Sequence, residues 1–197
     1  MDVRRKEPFT LIDPALVRGL LSIHEKLRGS GVNWSIGGDL GEALRGVKVD
    51  ADSIELVTDE DGAKKIFEAV SNDYNPTEIK YFMQRLPRDA TINEKEYPVY
   101  IRSHYFEFQV NAVRVRVHGD LQYKVGEWDV GDILEFDPEQ VYIVGEEMSV
   151  IPLLLKYEIA RALGWKDRQE KILEAIRPQV SGKVLFNPES QKNQGTV

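Results

Sequence analysis

Asn33-Trp34-Ser35-Ile36-Gly37-Gly38-Asp39 and the run that follows it, Ser53-Ile54-Glu55-Leu56-Val57-Thr58, decide how this chain is read. The first is a short apolar strand entering a Gly-Gly turn, and a short helix through Leu44 follows, stopping near Gly46. The second is a strand whose alternation sets Ser53 and Glu55 on one face and Ile54 and Leu56 on the other. Thr58-Asp59-Glu60-Asp61 then caps a helix continued by Ala63, Ile66, Phe67 and Val70. Upstream, Asp13-Pro14 is an N-cap with proline at the first helical position. Its helix carries Leu16, Leu20, Ile23 and Leu27 at helical spacing and ends at Gly29-Ser30-Gly31.

Downstream, residues 79–84, 97–102, 105–110 and 113–118 alternate with a period of two and are rich in β-branched and aromatic side chains, which predicts strands, with Asn111-Ala112 as a hairpin corner. Shorter extended pieces fill 123–144. From Val150 the pattern is helical: Leu154, Leu155, Ile159 and Leu163 before Gly164, then a last helix with Ile172, Ala175 and Ile176 that Pro178 is expected to end. The reading is one domain over 1–186, with an N-terminal extension over 1–12, a C-terminal helical segment over 150–177 and a frayed tail over 187–197.

Composition narrows the function. The chain of 197 residues has 42% hydrophobic and 30% charged residues, enough for a proper core. Without cysteine, thiolate metal sites and cysteine nucleophiles are excluded, so a metal would need Asp, Glu or His. A net charge of −7 argues against coating duplex nucleic acid. No apolar run approaches the roughly 20 residues a bilayer requires, and the start lacks the apolar stretch of a signal peptide, so a cytoplasmic protein with no membrane association is expected.

Two separated stretches resemble the nucleotidyltransferase superfamily, in particular its small AbiEii-like members. One is Trp34-Ser35-Ile36-Gly37-Gly38 with Ser53-Ile54-Glu55-Leu56; the other runs from Leu154 through Lys156 to Lys166-Asp167. The resemblance implies an α+β fold, a mixed twisted sheet with helices packed on one face and a C-terminal helical segment. It also implies an NTP or another phosphate-bearing small molecule as ligand, Mg²⁺ as cofactor if the protein is active, and transfer of a nucleoside monophosphate to a hydroxyl acceptor. In such chemistry carboxylates converge on two metal ions that clamp the triphosphate, and a glycine turn lets backbone approach its oxygens. Carried onto this sequence, Glu55, with Asp52 beside it, would be the catalytic and metal-holding carboxylates. Gly37, Gly38 and Lys156 would bind phosphate.

The sequence departs from the family pattern twice. Ser53 stands where the first carboxylate of the Asp-x-Asp/Glu pair is expected, and Asp52, one residue earlier, points to the opposite face of a regular strand. The later apolar-Asp-apolar strand reads Val115-Arg116-Val117, with arginine for the third carboxylate and Asp120 the nearest acidic residue. With Val113, Val115 and Val117 in the core, Arg114, Arg116 and His118 share the face of Glu55. Arg116 is then expected to pair with Glu55 and fill the space of a metal ion. Arg114 and Arg116 become nucleotide-binding candidates in a domain that binds an anionic ligand or a protein partner without catalysis. The plainer alternative keeps both arginines as a solvated strand face and Lys156 as a snorkelling lysine. Asp39 is expected to cap the helix after the Gly-Gly turn.

Overall fold

The computed structural model describes residues 12–132 and 136–181. The N-terminal extension before Ile12 and the tail from 187 lie outside the described residues. The chain begins with α1 (Pro14–Leu27), whose N-cap Asp13 accepts from the Ala15 N–H at 2.8 Å. Leu16, Leu20, Ile23 and Leu27 are all buried, as their spacing requires. Then come β1 (Ser35–Ile36), α2 (Gly38–Ala43), β2 (Ser53–Thr58) and α3 (Glu60–Tyr74). Asp59 caps α3 by accepting from the Gly62 N–H at 2.5 Å.

The middle of the chain is β3 (Lys80–Arg85), the small hairpin β4 (Ala90–Ile92) with β5 (Lys95–Tyr97), and then two long strands, β6 (Val99–Val110) and β7 (Val113–Val125). The Asn111-Ala112 corner is confirmed, with φ of 51° and 68°, both left-handed as a two-residue hairpin turn demands. β8 (Trp128–Asp132) pairs with β7; β9 (Glu139–Ile143) and β10 (Glu146–Val150) form a further hairpin; α4 (Leu153–Ala162) and α5 (Lys166–Ser181) close the chain. The last helix runs through Pro178, which was expected to end it. Lacking an N–H, Pro178 leaves the Glu174 carbonyl without its helical donor, a disturbance confined to the last turn or so of the helix.

The sheet order is β3-β6-β7-β2-β1-β10-β9. β2 runs parallel to β7 and β1 parallel to β10, while the other pairs are antiparallel, so the sheet is mixed and the α+β expectation holds. One face packs Ile54, Leu56, Phe106, Phe108, Val115 and Val117 against α1 and α3 in the main core. At ~25 cal/mol per Å² of apolar surface removed from water, this layer is the chief source of stability. The opposite face is left for α2, α4 and α5 to flank, and it bears the cleft. No described helix is long and apolar enough to cross a membrane.

Candidate nucleotide-binding cleft

The parallel register of β2 on β7 places Ser53 beside Arg114, Glu55 beside Arg116 and Val57 beside His118. Because alternate residues share a face, burying Ile54 and Leu56 with Val115 and Val117 leaves Glu55, Arg114, Arg116 and His118 together on the other side. There they line a cavity of about 600 Å³ together with Gly38, Lys156, Trp165 and Arg168.

The expected ion pair forms: Arg116 Nη1 donates to Glu55 Oε1 at 3.2 Å. Both side chains are about a quarter exposed, 28% and 27%. The Gly-Gly turn holds this carboxylate in place. Gly37 donates its N–H to the Glu55 carbonyl at 2.8 Å. Gly38 has φ of 57°, and a Cβ there would fall 2.6 Å from the Glu55 carboxylate. Both glycines therefore serve β2 directly: one hydrogen-bonds its backbone and the other makes room for its side chain. Ser53 is buried and donates its Oγ to Asp52 Oδ1 at 2.8 Å; Asp52 itself is exposed and lies outside the lining of the cavity.

Behind Glu55 sits a residue that the sequence pattern did not flag. Glu42, on α2, is 3% exposed and faces Arg168 Nε at 2.7 Å through Oε2 and Lys156 Nζ at 3.8 Å through Oε1. Arg168 also holds Asp39. Asp39 was expected to cap α2, yet Gly37 is the N-cap and Asp39 lies within the first turn, turned toward α5. Burial opposes the charge on Lys156, but the neighbouring Tyr123, Glu42 and Glu55 outweigh it and raise its pKa, so it is a lasting cation. Burial lowers the pKa of His118, whose Nδ1 lies 3.0 Å from Ser103 Oγ, and the imidazole is neutral. Burial and Glu107 raise the pKa of Tyr105, which donates its phenol to Glu107 at 2.6 Å. Arg168 follows Lys166-Asp167 directly in sequence, so adjacency to that pair was the one signal for it; Glu42 had none.

Leu86, Ile101, Leu121 and Ile159 add apolar surface to the same lining. Trp165 stands there with its indole N–H donated to the Asp89 carbonyl at 2.9 Å and the Arg88 guanidinium 5.4 Å over its ring. Cations and apolar side chains lining one cavity suit a ligand that carries both phosphate and a flat base.

Two Mg²⁺ ions would need several carboxylates free to face them. Each carboxylate that lines the cavity is instead engaged: Asp39 by Arg168, Glu42 by Arg168 and Lys156, Glu55 by Arg116, and Glu107 by Tyr105. The donor set does not fit a two-metal clamp. Arg114, by contrast, is exposed at the mouth with no carboxylate partner among the described residues.

A family model described as aminoglycoside-2″-adenylyltransferase matches residues 19–169 of the chain. Among solved structures, a nucleotidyltransferase candidate from Thermotoga maritima superposes with a TM-score of 0.57 at 23% identity, over 87% of this chain and 96% of that one. The fold is thus that of nucleotidyltransferases. ANT(2″)-Ia in complex with adenylyl-2″-tobramycin superposes with a TM-score of 0.48 at 10% identity, over 84% and 92% of the two chains. No curated protein matches the chain.

Proposed function

The chain belongs to the aminoglycoside-2″-adenylyltransferase family, and from that premise we propose that its cleft binds an NTP or a related phosphate-bearing small molecule through fixed cations rather than metal ions. The Arg116–Glu55 pair carries this reading. A guanidinium has five N–H donors in a planar fork, and with Nη1 committed to Glu55 the remaining edge is left for phosphate oxygens. Arg114 adds charge at the mouth, and Lys156, kept protonated by the carboxylates around it, adds a point charge from α4. Glu55 then orients Arg116 and lowers the repulsion among three clustered cations. Gly38 lets the carboxylate lie flat against the turn. The apolar walls near Trp165 would shelter the base.

The family match favours a second reading, transfer of a nucleoside monophosphate to a hydroxyl acceptor. In it Glu55 and Asp52 would hold Mg²⁺ and the Gly37-Gly38 turn would approach the phosphates. That reading needs Asp52 to turn from its Ser53 hydrogen bond into the cleft, and Arg116 to release Glu55. It also needs a base for the acceptor hydroxyl, a task that Arg116, standing where a carboxylate is expected, cannot perform.

Thermal stability with each NTP, with and without Mg²⁺, separates the two, because a ligand that binds only the native state raises it. The first reading expects a rise that persists in EDTA and is lost in Arg116→Ala. A rise that needs Mg²⁺ and disappears in Glu55→Ala, together with incorporation of labelled nucleotide into an acceptor, would favour the second. No rise with any nucleotide would remove both and leave the cleft to a protein partner.

A further inference from the structure

Away from the cleft, on the α3 side of the sheet, three side chains from three elements converge without any part in the reading above. Glu60 opens α3, His104 lies on β6 and Asp120 on β7, and one ligand atom from each lies within 4.8 Å of the other two. The backbone explains why they meet. His104 is paired with Gly119, and a Cβ on Gly119 would come within 3.0 Å of the Asp59 carbonyl and 3.2 Å of Glu60 Cα. Only glycine lets the start of α3 sit this close on the hairpin and carry Glu60 to His104. The β6–β7 register then slips between Arg102 and His104, so that Asp120 and Leu121 together face Ser103, and Asp120 takes φ of 52°. A bulge of this kind re-aims one side chain out of the regular alternation, and here it turns Asp120 toward His104 and Glu60.

We propose that Glu60, His104 and Asp120 form a binding site for a divalent transition cation of the Zn²⁺ or Mn²⁺ class, separate from the nucleotide cleft. One imidazole nitrogen and two carboxylate oxygens are a mixed donor set that such ions accept, whereas Mg²⁺ prefers oxygen alone. Zinc–ligand distances of about 2.0–2.2 Å put tetrahedral donors roughly 3.3–3.6 Å apart. His104 Nε2 and Glu60 Oε2 are already 3.4 Å apart. The division of labour on Glu60 fits: Oε1 takes Lys64 at 2.7 Å and leaves Oε2 to the site. The Asp120 carboxylate has no hydrogen-bond or ion-pair partner among the described residues, and rotation of its side chain closes the third side. All three residues are half-buried, so solvent completes the coordination. The bound ion would tie the start of α3 to the β6–β7 hairpin.

The test is calorimetric titration of the full chain with Zn²⁺, Mn²⁺ and Mg²⁺ alone, paired with thermal unfolding. One Zn²⁺ or Mn²⁺ per chain is expected, with Mg²⁺ far weaker, and a melting point raised by about 5 °C or more at a hundredfold excess over Kd. His104→Ala and Asp120→Gly should each lose at least tenfold in affinity. Asp120→Gly keeps the fold intact, because glycine suits the left-handed backbone there. Glu55→Gln, which alters only the cleft, should bind as the wild type does. Absence of binding, binding that survives in His104→Ala and Asp120→Gly, or binding lost in Glu55→Gln would overturn the proposal.

Discussion

Glu42→Gln is the sharpest perturbation of the architecture around the cleft, since it removes one charge and almost no volume. The carboxylate lies 2.7 Å from Arg168 Nε and 3.8 Å from Lys156 Nζ and is 3% exposed. At an effective dielectric near 20 these two attractions are roughly 6 and 4 kcal/mol before desolvation, which costs several kcal/mol per ion. The wild-type gain is therefore modest, yet its removal sets two cations against each other, with Asp39 still beside Arg168 but the buried carboxylate between them gone. We expect a loss of about 3–5 kcal/mol, or a fall of about 6–20 °C in melting point at roughly 2–4 °C per kcal/mol for a chain of this size. Urea unfolding at neutral pH measures it. Inorganic phosphate should restore more stability to Glu42→Gln than it adds to the wild type, because the anion supplies the missing charge. A loss below about 1 kcal/mol, the size expected of an exposed pair, would refute the view that Glu42 pins α2 to α4 and α5 through charge.

Three further outcomes follow from the same geometry. Arg116→Ala should raise the Kd for ATP by about 10- to 100-fold in titration calorimetry, since charge-assisted hydrogen bonds contribute about 1.5–3 kcal/mol, with Arg116→Lys in between. Gly38→Ala should lose at least about 1–2 kcal/mol in chemical denaturation from left-handed backbone alone, and more because its Cβ would meet the Glu55 carboxylate at 2.6 Å. His118 has a folded pKa lowered by burial, so the unfolded chain binds the extra proton first as pH falls below about 6.5. Stability present above that pH should then be lost on acidification with a slope of up to about 1.4 kcal/mol per pH unit, a component absent from His118→Gln.

The elements that carry the cleft were readable because they are local patterns. The Asp13-Pro14 cap, the spacing of Leu16, Leu20, Ile23 and Leu27, and the alternation through Val113, Val115 and Val117 each announce an element and its buried face. Once Val115 and Leu56 are both placed in the core, Arg116 and Glu55 must share the other face, and the parallel register sets them side by side. Long-range facts were not readable in this way. Nothing near Glu42 in sequence says that a glutamate on a six-residue helix will be buried by Arg168, far along the chain. From Val99 on, the pieces 97–102 and 105–110 form one strand to Val110, with Tyr97 going to β5, because pairing with the longer β7 overrides the local break at Ser103-His104. Nothing in the sequence around Asp120 announces the bulge that turns its side chain to α3. Leu154 was counted with the apolar face of its helix but is 63% exposed, Leu153 taking the buried position instead.

If, as we propose, Arg114, Arg116 and Lys156 take the place of metal ions in the cleft, ATP should bind without metal. Titration of the wild-type protein with ATP in EDTA and again in excess Mg²⁺ tests it most directly. The Kd in EDTA should be equal to or lower than that in Mg²⁺, because the metal shields the phosphates that Arg114, Arg116 and Lys156 would otherwise contact. Binding seen in Mg²⁺ and absent in EDTA would contradict it.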